Sequence, residues 1–244
     1  KHMKNLKFIL VLIFGFLSSS CNLDEDPIFL DPTLYDNPES ATAALDGIYQ
    51  KLTTYDSMER RYWVINGFSG YFITTRQGNS VNSPYNSSLM SLKPNQDQAS
   101  EAYWRGMYAA IAQTNAAIEN ITVVENPITN DELLFSDIVG QAYFIRAWAY
   151  FDLTRLFKDI PLWTELPDEN NLNKAKSTTK EIYAQVISDA KMAASLINGT
   201  KGIGYPKQYA ANMLLAKLYM TLATNADLRE GSLTEADYWQ MAYT

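Results

Sequence analysis

Residues Thr129 to Leu162 read TNDELLFSDIVGQAYFIRAWAYFDLTRLFKDIPL, and this stretch decides the fold. Thr129 stands three residues before Glu132, the spacing of a capping box. There the hydroxyl accepts from a free N–H of the first turn while the carboxylate reaches back. Pro161 cannot continue a helix and closes the pattern. Between these limits the spacing predicts about 28 helical residues, or ~42 Å of helix. Ile138, Ala142, Ile145, Ala149, Leu153 and Leu156 form one apolar stripe. Tyr143, Ala147, Tyr150 and Phe157 form a second, and Phe144, Trp148 and Phe151 a third. A helix apolar nearly all round must be buried by protein or lipid. Arg146 at its centre and its polar ends argue against lipid, so the helix belongs inside a layered all-helical body.

Helical patterns lie on both sides of this stretch. Asn37 caps a helix with Pro38 at its first position, and Ala41, Ala44, Leu45, Ile48, Tyr49 and Leu52 give it one face. Asp97 opens another that runs through Ile121, with Trp104, Tyr108, Ile111, Asn115 and Ile118 on one face. After Pro161 comes a polar linker containing Asp168, Glu169, Asn170 and Asn171. Thr178 and Glu181 form a second capping box, for a helix to Ile197 that buries Ile182, Val186, Ile187, Ala190 and Ala194. Asn198-Gly199 stops it. Lys207 to Ala223 makes a further helix, and Ser232 with Glu235 opens a last one carrying Trp239. Paired helices on short loops suggest stacked helical hairpins, although no clean 34-residue consensus repeats. Residues 54–97 differ: they are rich in Asn, Ser and aromatics and hold few periodic runs. A loop of that length is unusual in a compact domain unless it is functional. A short helix or strand is expected near 60–75, followed by loop.

The beginning of the chain reads as an export signal. Lys1 and His2 look like residues added ahead of a natural start at Met3. Lys4 and Lys7 precede FILVLIFGFL, then SSSC: a basic region, a short apolar run and a small-residue cleavage site. The run is too short to span a bilayer, which takes about 20 apolar residues. Leu17-Ser18-Ser19-Ser20-Cys21 resembles a bacterial lipobox, so Cys21 is the expected lipidation site; several acyl chains anchor stably where one is marginal. The alternative is an ordinary signal peptide with an accidental cysteine. Asn22-Leu23-Asp24-Glu25-Asp26 continues as an acidic tether, and Pro27–Asp36 as an extended one. The expected organisation is 1–20 added residues and signal, 21–36 tether, and 37–244 helical domain.

Composition excludes several functions. The chain of 244 residues is 47% hydrophobic and 19% charged, with net charge −7, and is globular in type. Without residues 1–20 it keeps 17 basic residues against 27 acidic, net −10, which disfavours nucleic acid. One cysteine allows no intrachain disulfide. His2 is the only histidine, which removes Ser-His-Asp and Cys-His catalysis and the usual zinc sites. Glycoside hydrolysis needs only two carboxylates about 5–10 Å apart. Yet Asp24/Glu25/Asp26, Asp131/Glu132 and Asp168/Glu169 read as tether, helix N-terminus and loop. Gly202-Ile203-Gly204 is a lone G-x-G after a helix and reads as a turn. No catalytic residue, cofactor or metal ligand is expected.

GQAYFIRAWAYFDLTRLFKDIPL resembles the signature helix of the SusD/RagB family, nutrient-binding outer-membrane lipoproteins of gut-type Gram-negative bacteria. Arg146-Ala147, Tyr150, Leu153 and Phe157 to Leu162 match its pattern, with Lys158 in place of the usual glycine. Trp104, Tyr108, Ile111 and Asn115 follow a second SusD-like pattern, and Ala216-Lys217-Leu218-Tyr219 a third. The resemblance covers most of residues 21–244, most closely 98–223. It implies an all-α, SusD-like helical body with tetratricopeptide-like helix pairs plus a long irregular loop region. Family members are commonly about twice as long, so this chain is expected to be an N-terminal part lacking the C-terminal half. The resemblance further implies a lipoprotein on the outer membrane, facing the cell exterior. It would bind glycan or oligosaccharide and deliver it to a SusC-like TonB-dependent transporter. The acidic run after Cys21 resembles a surface-export signal of these bacteria.

Sugar binding needs flat apolar faces for C–H surfaces and amide or charged groups for hydroxyls. The 54–97 loop supplies that mixture in Trp63, Tyr71, Arg76, Gln77, Asn79, Asn82, Tyr85 and Asn86. The competing reading is that Trp63 and Tyr71 are core residues and the asparagines form turns. Arg146 is read as an internal ion pair or a cap on backbone carbonyls, whose partner must be an acid or a set of carbonyls. A protein from another class fits the same pattern: a helical-repeat scaffold whose concave face binds only protein partners.

Overall fold

The computed structural model describes residues 32–54, 58, 62, 98–167 and 173–243. Lys1–Asp31 separates from Pro32–Thr244, and the described residues all belong to the second unit. That unit is all-α, as the patterns predicted. Its elements are a 3₁₀ turn Pro32–Tyr35, α1 Pro38–Leu52, α2 Gln98–Asn120, α3 Asn130–Phe157, α4 Thr179–Leu196, α5 Gln208–Thr224, a 3₁₀ turn Ala226–Leu228 and α6 Glu235–Tyr243. Each of α2 to α5 packs on the helix that follows it, and α1 lies against both α2 and α3, among the described residues. The arrangement is one of stacked helix pairs around a shared core.

Local chemistry sets most helix starts. The Asn37 side chain accepts from the Ser40 N–H at 3.0 Å, with Pro38 at the first helical position. Thr129 Oγ1 accepts from the Glu132 N–H at 3.2 Å, and Glu132 Oε2 accepts from the Thr129 N–H at 2.9 Å. The same reciprocal pair forms between Thr178 and Glu181. Asp97, the expected opener of α2, lies outside the described residues. The last helix corrects the sequence reading. Its box uses Thr234 and Asp237, not Ser232 and Glu235: Thr234 Oγ1 accepts from the Asp237 N–H at 3.3 Å, and Asp237 Oδ2 accepts from the Thr234 N–H at 2.7 Å. Gly231, at φ 56, places Ser232 and Leu233 in the preceding turn, outside helical register.

α3 has the expected 28 residues but ends at Phe157, four residues short of Pro161. Lys158 ends it, at φ 64 and ψ −117. Its N–H donates to the Thr154 carbonyl at 2.9 Å, and Thr154 Oγ1 donates to the Lys158 carbonyl at 2.8 Å. A side chain and a backbone group from one turn earlier therefore hold a lysine where glycine is the easy residue. Pro161 sits instead in a two-residue strand, β1 Ile160–Pro161, antiparallel to β2 Lys176–Ser177, with Ile160 opposite Ser177 and Pro161 opposite Lys176. This short ladder replaces part of the stretch read as plain linker.

The first stripe of α3 is core: Ile138, Ala142, Ile145, Ala149 and Leu153 are buried. The third stripe is divided: Phe151 is buried with the core, whereas Phe144 and Trp148 are half-buried and line an open groove, so the all-round burial expected of this helix fails there. In α2, Ile111 and Asn115 of the predicted face are wholly buried, and so is a neighbouring line of Tyr103, Met107, Ala110, Thr114 and Ala117, while Trp104, Tyr108 and Ile118 are half-buried. Trp104 and Tyr108 cover that line from the side, their ring centroids 4.8 Å apart and tilted by 36°, with the Tyr108 hydroxyl donating to the Pro161 carbonyl at 2.6 Å. Amphipathic aromatics on the helix flank thus share the apolar pattern with the buried line beside them. α3 and α4 approach closely at Gly140, where an added Cβ would stand 2.8 Å from the Ile197 nitrogen.

Candidate functional site

Arg146 resolves as the sequence required, and it is structural. At 3% exposure it is closed to ligand. Its Nε and Nη2 donate to the two oxygens of Asp189 on α4, each at 2.8 Å. Its Nη1 donates to Asn115 Oδ1 on α2 at 2.8 Å and to the Thr164 carbonyl at 3.1 Å. Asn115 Nδ2 in turn donates to the Trp163 and Glu165 carbonyls, at 3.1 and 3.0 Å. One guanidinium fork thereby ties α2, α3, α4 and the segment after β1 together. Burial opposes its charge, but the hydrogen bond and charge of Asp189 prevail and hold its pKa above the ordinary arginine value. The sequence held a signal for Asp189: it interrupts the apolar line Ile182, Val186, Ala190, Ala193 of α4. A buried acid needs a partner.

Asp137 plays a comparable part at the other end of α3. Wholly buried, it accepts from the backbone N–H groups of Asn198, Gly199 and Lys201 at 3.1, 3.2 and 2.7 Å. It fixes the α4–α5 turn, in which Gly199 takes φ +88. Gly202-Ile203-Gly204 belongs to this turn, as read, with Ile203 fully exposed.

A groove of about 700 Å³ opens between α3, α5 and α6. The third stripe of α3 forms one wall, with Asp152 and Arg155 at its end; Met213, Leu214, Lys217, Met220 and Thr221 of α5 form the other. Trp239 of α6 closes one side, 43% exposed. The Arg155 guanidinium lies 5.3 Å over the Phe151 ring, and its Nη1 is 3.8 Å from Asp152 Oδ1. Asp152 also accepts from the Tyr103 hydroxyl. Burial pushes the Asp152 carboxyl above the usual carboxylate range, against the pull of that bond and of Arg155. Among the described residues Asp152 is the single carboxylate lining the groove, so two opposed carboxylates of the glycosidase kind are not assembled in it. Flat aromatic faces beside two cations and hydroxyls give it the mixed lining of a small-molecule binding surface.

Trp63, Tyr71, Arg76, Asn79, Asn82 and Tyr85 lie outside the described residues, as do Gln77, Asn86 and Cys21. Tyr62, just before this stretch, does line the groove. The sequence patterns place Met213, Lys217 and Trp239 within helices and leave Asp152 and Arg155 unassigned; their convergence needs three helices to be placed in space. Among the described residues no helix is long and apolar enough to cross a membrane.

Comparison with known proteins places this architecture. A SusD-like family model, described as starch-binding and associating with the outer membrane, matches residues 69–220. Two SusD-like proteins of Formosa agariphila are similar in sequence. One is 26% identical over 225 residues, covering 90% of this chain and 43% of that protein. The other is 29% identical over 205 residues, covering 79% and 38%. Among solved structures, a SusD superfamily protein from Parabacteroides distasonis superposes with a TM-score of 0.65 at 24% identity, covering 84% of this chain and 42% of that one. A laminarin-binding SusD-like protein superposes with a TM-score of 0.61 at 20% identity, covering 78% and 41%. The chain therefore spans about two fifths of the length of these relatives.

Proposed function

Because this chain belongs to the SusD-like family, whose model matches well over half of it, we propose that it serves as the helical part of a carbohydrate-capturing lipoprotein at the outer-membrane surface. Cys21 is its lipid anchor in this reading, and the acidic tether lifts the helical body away from the bilayer. The protein captures oligosaccharide and passes it to a SusC-like TonB-dependent transporter, with no bond made or broken. The observation that carries the reading is the family match itself, over residues 69–220. Trp63, Tyr71, Arg76, Asn79, Asn82 and Tyr85 remain the proposed ligand contacts in the 54–97 loop. Their chemistry supports it: aromatic faces for the sugar ring, amides and a guanidinium for its hydroxyls.

One observation favours a second reading, a scaffold that binds only protein. Met213, Met220 and Trp239 are 61%, 41% and 43% exposed along one groove, and such apolar surfaces often mark interfaces. Affinity electrophoresis through gels cast with neutral and charged polysaccharides separates the two, run beside capture of membrane partners by the lipidated protein. The glycan reading expects retardation by at least one polysaccharide, weakened by Trp63→Ala and Arg76→Ala, and recovery of a TonB-dependent transporter. Capture of membrane partners with no retardation by any polysaccharide would establish the scaffold instead.

A further inference from the structure

We propose that the groove between α3, α5 and α6 is a subsite for an anionic oligosaccharide, held by the faces of Trp148 and Trp239 and by the cations of Arg155 and Lys217. The inference rests on the glycan-capturing reading and adds to it a second place and a ligand class. It starts from charge. The whole chain carries −7, yet among the described residues this groove is lined by two cations and one carboxylate. That carboxylate, Asp152, is engaged by the Tyr103 hydroxyl and shielded on its other side by Arg155. Lys217 is exposed and has no acidic partner among the described residues. The approach of Arg155 to Asp152, at 3.8 Å, is too long for a hydrogen bond and leaves the guanidinium fork open. Two under-used cations facing one cavity in an acidic protein form a local site for negative charge.

The rest of the lining selects a sugar as the carrier of that charge. Trp148, Trp239 and Phe144 offer flat faces to C–H surfaces. Thr221 and Thr224 add hydroxyls to this lining, each donating to a backbone carbonyl one turn back, at 2.9 Å to Lys217 and 3.2 Å to Met220; Thr224 Oγ1 also accepts from Asn225 Nδ2 at 3.2 Å. The volume of about 700 Å³ falls within the range of small-molecule sites and takes a short oligosaccharide. An apolar peptide helix would bury Arg155 and Lys217 without partners, which is costly. An anionic sugar satisfies the fork bidentately and the rings by stacking. The anion is a uronate carboxylate or a sulfate ester; both present oxygens in the geometry that arginine reads.

The test uses isothermal titration and tryptophan fluorescence with three probes: an oligogalacturonate, a sulfated galactan oligosaccharide and a neutral laminarin-type oligosaccharide of matched length. At least one anionic probe should bind about tenfold more tightly than the neutral one, quench tryptophan emission, and weaken as salt rises. Arg155→Gln with Lys217→Gln should bring that preference to near unity, and Arg155→Lys should recover part of it. Both positions are exposed, so an unchanged melting temperature identifies a folded variant. Neutral probe bound and anionic probes ignored would overturn the subsite and leave the proposed function standing. Binding of none of the three, on a polysaccharide panel that also gives no retardation, would overturn both. Anionic affinity that survives the double variant would place the ligand elsewhere and end the proposal. So would a photocrosslinker at position 217 that captures a protein which anionic sugar does not displace.

Discussion

Asp189 and Arg146 are each about as buried as a core leucine, and their worth lies in being satisfied together. The fork geometry, with Asn115 and a backbone carbonyl taking the third nitrogen, gives every guanidinium nitrogen a partner. Removing one partner strands the other charge in a medium of low dielectric. Asp189→Ala should therefore cost about 3–5 kcal/mol in denaturant unfolding, whereas Arg146→Met with Asp189→Leu should cost clearly less. A similar loss in both would mean that packing, not the unpaired charge, sets the penalty. Lys158 is the opposite case, a residue tolerated against its own preference. A side chain at φ 64 and ψ −117 is strained, and the Thr154 bonds compensate for it. Lys158→Gly should stabilise the protein by about 1 kcal/mol, read as a higher denaturant midpoint at unchanged slope. A lower midpoint would show that the lysine side chain makes a contact worth more than the strain.

The helices are delimited by reciprocal side-chain and backbone bonds within one turn, and these bonds carry a pH signature. Glu132 is held below the usual carboxylate range by the backbone N–H groups of Thr129 and Ile128. Glu181 is lowered by the backbone and hydroxyl of Thr178, and Asp237 by the hydroxyl and backbone of Thr234. A carboxyl whose folded pKa is depressed contributes stability that is complete above its unfolded value and is lost as pH falls through the folded one. Glu181→Gln should thus be less stable than wild type at neutral pH. The two should converge as pH drops below the ordinary glutamate range, in thermal melts followed at several pH values. A gap that persists at low pH would assign the effect to shape rather than charge. Asp152 runs the other way: its raised carboxyl favours the protonated folded state, so its contribution falls as pH rises through its pKa.

Among the described residues a main core unites the helices, with a smaller cluster of Ala193, Ile197 and Ala211 apart from it, while the groove beside the core stays open. Two aromatics two residues apart on α3 report the difference. Tyr150 is wholly buried, its hydroxyl donating to the Trp163 carbonyl at 2.9 Å; Trp148 looks into the groove. Tyr150→Ala should cost about 3–5 kcal/mol, and Trp148→Ala less than half of that while changing ligand-induced fluorescence. Equal costs would mean that Trp148 is covered in solution. The placement of the molecule at a membrane rests on Cys21. Labelled palmitate should enter the wild type in the native host and not Cys21→Ala, and equal labelling of both would remove the anchor from the proposal.

The sequence alone determined what depends on neighbours within a turn: the boxes at Thr129/Glu132 and Thr178/Glu181, the Asn37 cap, the length of α3 and the all-α class. These bonds close over three residues, so the letters that make them stand together. The family patterns around Arg146 and Trp104 were legible for the same reason, as short ordered strings. Tertiary structure decided what links distant segments. It chose Asp189 and Asn115 as the partners of Arg146, 43 and 31 positions away, buried a second line of α2 beside Ile111 and Asn115, and paired Pro161 with Lys176. It also opened a groove beside Trp148, because residues from three helices enclose that space and no single helix's periodicity encodes their convergence. An apolar stripe requires some cover; which stripe receives it depends on how many helices reach that side.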